Sequence, residues 1–370
     1  IYVTSGATLT IEPGTVVRGE TESAPGALDP GTLVIARGSK INAQGTKLKP
    51  IVFTDLLDDN VGNNPGTFPY DNSLNALFTT GQWGGVVVLG RTYVANNTLG
   101  GPDASREVQI EGLNAAGNLG FYGNCAASPL GGVDCDDDDS GALSYISIRY
   151  GGFNLSANNE INGLTRGGVG RETDIDYVEI FQNKDDGVEF FGGAASLKHF
   201  IIANVGDDMV DYDEGWRGKG QFVFALQGIP GTGADKSDKG GEHDGATSGD
   251  GSHPYAIPTI YNATYIGHGL DKSFSGMDGN TALKFRDNAG GRYYNSAFLD
   301  FAGATMLLEG AAGSTDTVAE RAVSAYDPLV VADPTIYLPI APAGSNQWEL
   351  QDNTFYCIGR QEDATVLGLG

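Results

Sequence analysis

Positive charge is scarce in this chain. Its 370 residues carry 22 Lys plus Arg against 47 Asp plus Glu, a formal net charge of −25. A surface of that sign repels polyanions, which argues against nucleic acid and against anionic membranes as partners. It suits cation binding, or solubility in salty water. Long hydrophobic runs are missing too. No stretch approaches the ~20 apolar residues of a transmembrane helix. Cysteine is down to three residues. Cys125 and Cys135 lie in one Gly/Asp-rich loop, a spacing that favours a local disulfide and with it an oxidising compartment. Three free thiols are the alternative, and Cys357 is left over in either case. Helical periodicity is hard to find, and no regular Leu/Asn consensus is present. Those two absences count against a leucine-rich-repeat solenoid. Disorder is a poor reading, because 40% of the residues are apolar and alternate in short runs. The chain starts at Ile1, inside what reads as a strand, without an initiator Met or a signal peptide. It reads as a processed or incompletely represented chain, so the missing signal does not argue for the cytoplasm.

What is abundant is glycine, 56 residues, spaced between short β-rich phrases. "YVTSGATLTIEPGTVVRGE" alternates Thr8, Leu9, Thr10 and Ile11, turns at Pro-Gly, then resumes at Val16. "GTLVIARGSKINAQGTKLKPIVFTD" has the same form, and "GQWGGVVVLGRTYV" starts another. The clearest echo is "TDIDYVEIFQNKDDGVEFFGG" followed by "ASLKHFIIANVGDDMVDYDEG", aligned at an offset of 22. Continued at that offset, Phe200 and Ile202 meet Phe222 and Phe224. Self-similarity of this length means stacked coils. The expectation is an all-β chain, a right-handed parallel β-helix of about 22–25 residues per coil. It would run over 1–310 with loop insertions near 57–82, 96–140 and 229–258, and 311–370 would add C-terminal coils and loops. "PLVVADPTIYLPIAPAG" reads there as loops with an edge strand.

The offset of 22 also repeats an acidic phrase. "KDDGVEF" and "GDDMVDY" place Asp185 and Asp186 over Asp207 and Asp208, and Glu189 over Asp211. In a parallel β-helix, equivalent positions sit one strand spacing apart, about 4.8 Å. At an effective dielectric near 20, each like-charge pair at that distance costs on the order of 3 kcal/mol. A hard cation would offset this, and Ca²⁺ favours clustered carboxylates and carbonyls in loops. The candidate ligands are Asp185, Asp186, Glu189, Asp207, Asp208, Asp211, Asp213 and Glu214, with Asp287 a few coils on. The competing reading is turn chemistry, in which Asp caps backbone amides and Lys184, Arg217 or Lys219 neutralises the charge. Weaker candidates are the acid run "CDDDDS", which reads as a solvated loop before a calcium loop, and "DLLDDNVGNN". The loop holding Glu242, His243, Asp244, Asp250 and His253 mixes imidazole with carboxylate.

"ATLTIEPGTVVRG", "KINAQGTKLKPIVFTD", "QWGGVVVLG", "EINGLTRGGVG", "DDGVEFFGG" and "GDDMVDYDEGWRGKGQFVF" resemble a family of secreted bacterial β-helix proteins with a pectate-lyase-like fold. Its members are described as surface proteins or lipoproteins. The likeness runs from Tyr2 to about Phe301 and implies the fold and export to the outer cell surface. It implies no activity.

Three function classes follow. The first is structural or adhesive, where the abrupt start at Ile1 and Tyr2 and the apolar "TVLGLG" fit either self-association end to end into fibres or extension into further sequence. This reading assigns no catalytic residue. The second is a polysaccharide lyase or hydrolase. Calcium pectate lyases resemble it in pairing acids with a base of the kind Arg217, Lys219, Lys284 or Arg286 supplies. Polygalacturonases resemble it in Asp207, Asp208, His268 within Gly-His-Gly, and Arg286. However, His268 lies about 60 residues past the acids, the basic motif runs Lys-x-Arg, the reverse order, and no Asn-Thr-Asp is present. The third class is a non-catalytic polysaccharide binder using Trp83, Trp216, Tyr212, Tyr293 and Tyr294. Exposure of an aromatic row would favour it, and burial would favour packing.

Overall fold

Short β-branched phrases punctuated by glycine cannot bury an apolar face alone, so they stack. The computed structural model describes residues 1–21, 27, 29–58, 79–96, 106–113, 116–127, 132–156, 159–228, 238–245, 254, 256–269, 281–286, 289–308, 348–356 and 358. Two long parallel sheets carry the chain as a β-helix. One has nine strands, in the order Tyr2–Val3, Leu33–Ile35, Val86–Leu89, Leu164–Gly167, Val188–Phe191, Val210–Asp213, Gly241–Asp244, Leu283–Arg286 and Met306–Leu308. The other has fourteen and includes Gly141–Arg149, Asp174–Phe181, Leu197–Ala203 and Lys219–Leu226. Successive neighbours come from successive coils, as in the pairs Val188 with Val210 and Val178 with Phe200. No α-helix occurs among the described residues.

Alternation decides what is inside. Val88, Leu164, Val188, Phe190, Val210, Phe200 and Ile202 point into one continuous apolar core. Aromatic rings stack within it, Phe190 on Trp216 at 3.9 Å and Tyr212 on His243 at 4.0 Å between centroids. The second sheet bends once per coil. Tyr145, Tyr177, His199 and Phe222 each adopt a left-handed backbone, with φ of 48°, 55°, 51° and 60°. Such a conformation costs a non-glycine residue roughly 1–2 kcal/mol. It breaks the alternation, so Asp176 and Tyr177 both face outward between buried Ile175 and Val178. The four rings stack outside the core at 4.4, 4.2 and 5.1 Å. That contact offsets part of the backbone strain.

Three expectations need correcting. First, Phe200 pairs with Val223 and Ile202 with Ala225, not with Phe222 and Phe224. This coil is one residue longer, so Val223 and Ala225 fill the core and Phe222 and Phe224 face solvent. Second, the segment read as the insertion 229–258 contains the core strand Gly241–Asp244. Its pattern is hidden because glycine and histidine fill the inward positions. A Cβ on Gly241 would meet the His243 ring at 2.5 Å. Third, part of 96–140 is not a loop. Glu107–Gln109 and Phe121–Gly123 form a hairpin that lays Val108, Ile110 and Tyr122 over the outward Val34, Val87, Leu89 and Phe191. Cys125 and Cys135 are disulfide-bonded beside it, with Cα atoms 5.6 Å apart. At the far end, Trp348–Gln351 and Thr354–Tyr356 extend the second sheet. The run 328–344, "TVLGLG", Cys357 and all of 59–78 lie outside the described residues.

Candidate metal centre

In the middle of the nine-stranded sheet, the residues that lead into successive strands stack on one another. The Gly163, Gly187, Met209 and Gly240 amides donate to the carbonyls of Asp186, Asp208, Lys239 and Thr281 on the following coil. Asn162, Asp186, Asp208, Lys239 and Thr281 therefore occupy one column. Two of its aspartates hook the next coil. Asp186 Oδ1 accepts the Asp208 amide at 2.8 Å, and Asp208 Oδ1 accepts the Lys239 amide at 2.8 Å. Three residues on, the strand's outward positions form a second column of Thr165, Glu189, Asp211, Glu242 and Lys284.

The two columns bring carboxylates together. Oxygens within 4.8 Å of one another occur in Asp185–Asp186–Asp207, Asp186–Glu189–Asp211, Asp207–Asp208–Asp238 and Asp208–Asp211–Glu242. Asp186, Glu189 and Asp208 are buried. Burial first, and neighbouring acids second, push Asp186, Glu189 and Asp211 well above the usual carboxylate range. Burial also raises Asp208 strongly, against the pull of Lys239. Glu111, from the covering hairpin segment, adds to the field on Glu189. Around Asp186–Glu189–Asp211 lie neutral oxygens. Asn162 donates its Nδ2 to Glu189 Oε2. Asn162 Oδ1, Thr165 Oγ1 and Asp211 Oδ1 are buried and have no hydrogen-bond partner among the described residues. Asn162 is 0% and Thr165 2% exposed, and Thr165 sits directly opposite Glu189. Orphaned buried acceptors are costly, about 1–3 kcal/mol each, unless a donor or cation serves them.

The basic end of the ladder is occupied by the chain itself. Lys239 Nζ lies 3.4 Å from Asp208 Oδ2, 2.5 Å from Asp238 Oδ2 and 3.5 Å from Glu242 Oε1. Burial would lower its pKa, but Asp208, Glu242 and Asp238 outweigh that and raise it. Lys284 reaches Glu242 at 3.2 Å, and Arg286 holds Asp244 through two contacts of 2.6 and 2.7 Å. Glu242 is lowered by Lys239, Arg286 and Lys284 despite its burial.

The other candidates separate. Asp213 and Glu214 join none of the close groups. Glu214 instead accepts from Tyr122 Oη at 2.5 Å and from Asn96 Nδ2, clamping the hairpin onto the sheet. Arg217 is buried on Asp136 and does not neutralise the cluster. Lys219 stands exposed on the other sheet. Of the set Asp207, Asp208, His268 and Arg286, Arg286 is paired with Asp244 and lies 3.2 Å from Glu242, and the His268 amide donates to Gln227 Oε1. His243 points inward, opposite Glu242 and Asp244, and contacts Tyr293 Oη at 2.7 Å. Burial lowers its pKa to about 3. Its ring is turned into the core, on the face of the strand opposite the acids, while Asp250, His253 and Asp287 lie outside the described residues. In "CDDDDS", Asp136 pairs with Arg217, Asp137 with Arg171 and Asp139 with Lys40, and Asp138 caps the Arg91 amide. Of "DLLDDNVGNN", the described acids serve local bonds, Asp55 to the Leu57 amide and Asp58 to Thr54 Oγ1. Trp83, Trp216, Tyr212 and Tyr293 are buried, and Tyr294 stacks on Tyr261 at 4.8 Å.

The sequence reading missed Lys239. The signal is "DKGGEHD", a third copy of the acidic phrase displaced by an insertion and carrying Lys where its predecessors carry Asp.

No curated protein and no solved structure matches the chain. A family profile, described as Pectate-lyase like beta helix domain, matches residues 1–68 and 72–329. Together with the stacked parallel coils, that match places the chain in the pectate-lyase-like β-helix domain family.

Proposed function

We propose that the chain is an exported β-helix scaffold stabilised by calcium, with a structural or adhesive role at the bacterial cell surface. The observation that carries the reading is the Asp186–Glu189–Asp211 group, with the unpartnered oxygens of Asn162 and Thr165 beside it. Three carboxylates and two neutral oxygens are the donor set of a hard cation. No imidazole or thiolate contributes, which disfavours a softer metal. Thermal unfolding with and without EDTA, followed by calcium add-back, tests it. A drop in melting temperature that calcium restores supports the reading, and an unchanged melting temperature rejects it. End-to-end assembly belongs to the same reading and is checked by sedimentation velocity.

A non-catalytic polysaccharide-binding role is the second reading. Its support is the solvent-facing row Tyr145, Tyr177, His199 and Phe222, beside a groove of about 250 Å³ lined by Lys47, Pro50, Arg149 and Ile201. The rings consume one another's faces by stacking, so a sugar would meet their edges and the outer face of Tyr145. Affinity electrophoresis against soluble glycans tests this. Binding that Tyr145→Ala abolishes without changing the melting temperature supports it.

A further inference from the structure

The acidic columns cross several coils, but the coils do not face the same problem. On the coil that carries Glu242, the position held by Asp186 and Asp208 on the preceding coils is a lysine. The Lys239 side chain is only 4% exposed, and its ammonium lies among Asp208, Asp238 and Glu242. Those acids belong to two of the four close groups, Asp207–Asp208–Asp238 and Asp208–Asp211–Glu242. A compact point charge with three donors meets carboxylates much as a small bound cation does. One coil earlier the same arrangement recurs without an ammonium. Asp186, Glu189 and Asp211 have no ion pair among the described residues, and the buried oxygens of Asn162, Thr165 and Asp211 have no donor.

We infer that Lys239 is a built-in substitute for a second bound cation. The chain takes one divalent cation, at Asp186–Glu189–Asp211. Its own ammonium fills the next position along the ladder, so removing that ammonium opens a second site of the same class. Asp211 is shared by the two positions, which couples them: a cation at the first is felt by the pair Lys239–Glu242 at the second. The first half of this statement rests on the cation reading above, and the second half does not.

The test is equilibrium dialysis of the whole chain against Ca²⁺, with bound metal counted by elemental analysis. The variants are Lys239→Met, which keeps the stem and loses the charge, and Lys239→Arg, which keeps the charge. The expected stoichiometry is about one ion for the parent chain and for Lys239→Arg, and about two for Lys239→Met. A parent chain that binds none, with Lys239→Met binding about one, supports the substitute while rejecting the vacant first site. Equal stoichiometry in the parent chain and Lys239→Met overturns the inference. Where Lys239→Met does not fold in chelator, circular dichroism decides. Folding restored by calcium, and not by sodium chloride of equal ionic strength, supports the substitute. Failure of every divalent cation to restore it, with Lys239→Arg folded, overturns it.

Discussion

Asp186 accepts the backbone amide of Asp208 through Oδ1 at 2.8 Å, so the acid that repels its neighbour also binds it. The two effects separate on substitution. Asp186→Asn keeps an acceptor of the same shape and removes a charge from the cluster, whereas Asp186→Ala removes both. In chelator, Asp186→Asn is expected to melt above the parent chain and Asp186→Ala below it, the latter by about 1–3 kcal/mol of lost amide satisfaction. Both are expected to lose the calcium-dependent rise. Paired thermal melts in EDTA and in calcium check this.

The cluster also sets a pH dependence. Asp186, Glu189, Asp208 and Asp211 have folded-state pKa values raised above the unfolded carboxylate range. Folding therefore takes up protons at these groups. Their contribution is fully present below an unfolded pKa of about 4 and is lost as pH rises through the raised folded values. In EDTA the melting temperature is expected to fall as pH climbs from mildly acid to neutral, and saturating calcium is expected to flatten that slope. A rise with pH in EDTA would contradict it.

Arg217 and Asp136 form a buried ion pair that ties the disulfide loop to the solenoid wall, and Arg217 also donates to the carbonyls of Tyr93 and Gly215. Removing one partner leaves the other buried and charged. Arg217→Ala is expected to cost about 3–5 kcal/mol in urea unfolding. Arg217→Met paired with Asp136→Leu is expected to recover much of it.

The register of the second sheet predicts unequal phenylalanines. Phe200 is buried in the core, and Phe222 is 43% exposed on the stacked outer row. Phe200→Ala is expected to cost about 3–5 kcal/mol and Phe222→Ala about 1 kcal/mol or less. Equal losses would place the two rings in one environment.

The solenoid is legible in the sequence because parallel stacking puts equivalent residues at equal intervals, and the offset of 22 reports it directly for Val188 over Val210. The acidic cluster is legible for the same reason. The register between Phe200 and Val223 is not, since a coil one residue longer leaves two plausible alignments of alternating apolar residues. The strand Gly241–Asp244 hides for a different reason. Its inward side chains are a glycine and a histidine, which carry no hydrophobic period, and the histidine is held by a ring stack on Tyr212 and by the Tyr293 hydroxyl, both on neighbouring coils. Lys239 escapes with it. Glu214 misleads because proximity in sequence to stacked acids says nothing of the hairpin that claims its carboxylate.

The hooks from Asp186 to Asp208 and from Asp208 to Lys239 run along the solenoid axis. Tension on the two ends of the chain would therefore load them one after another, seam by seam, as stitches are loaded in a torn hem. An ion shared by Asp186 and Glu189 of one coil and Asp211 of the next would act as a rivet across one seam, and Lys239 as a rivet across the one beyond.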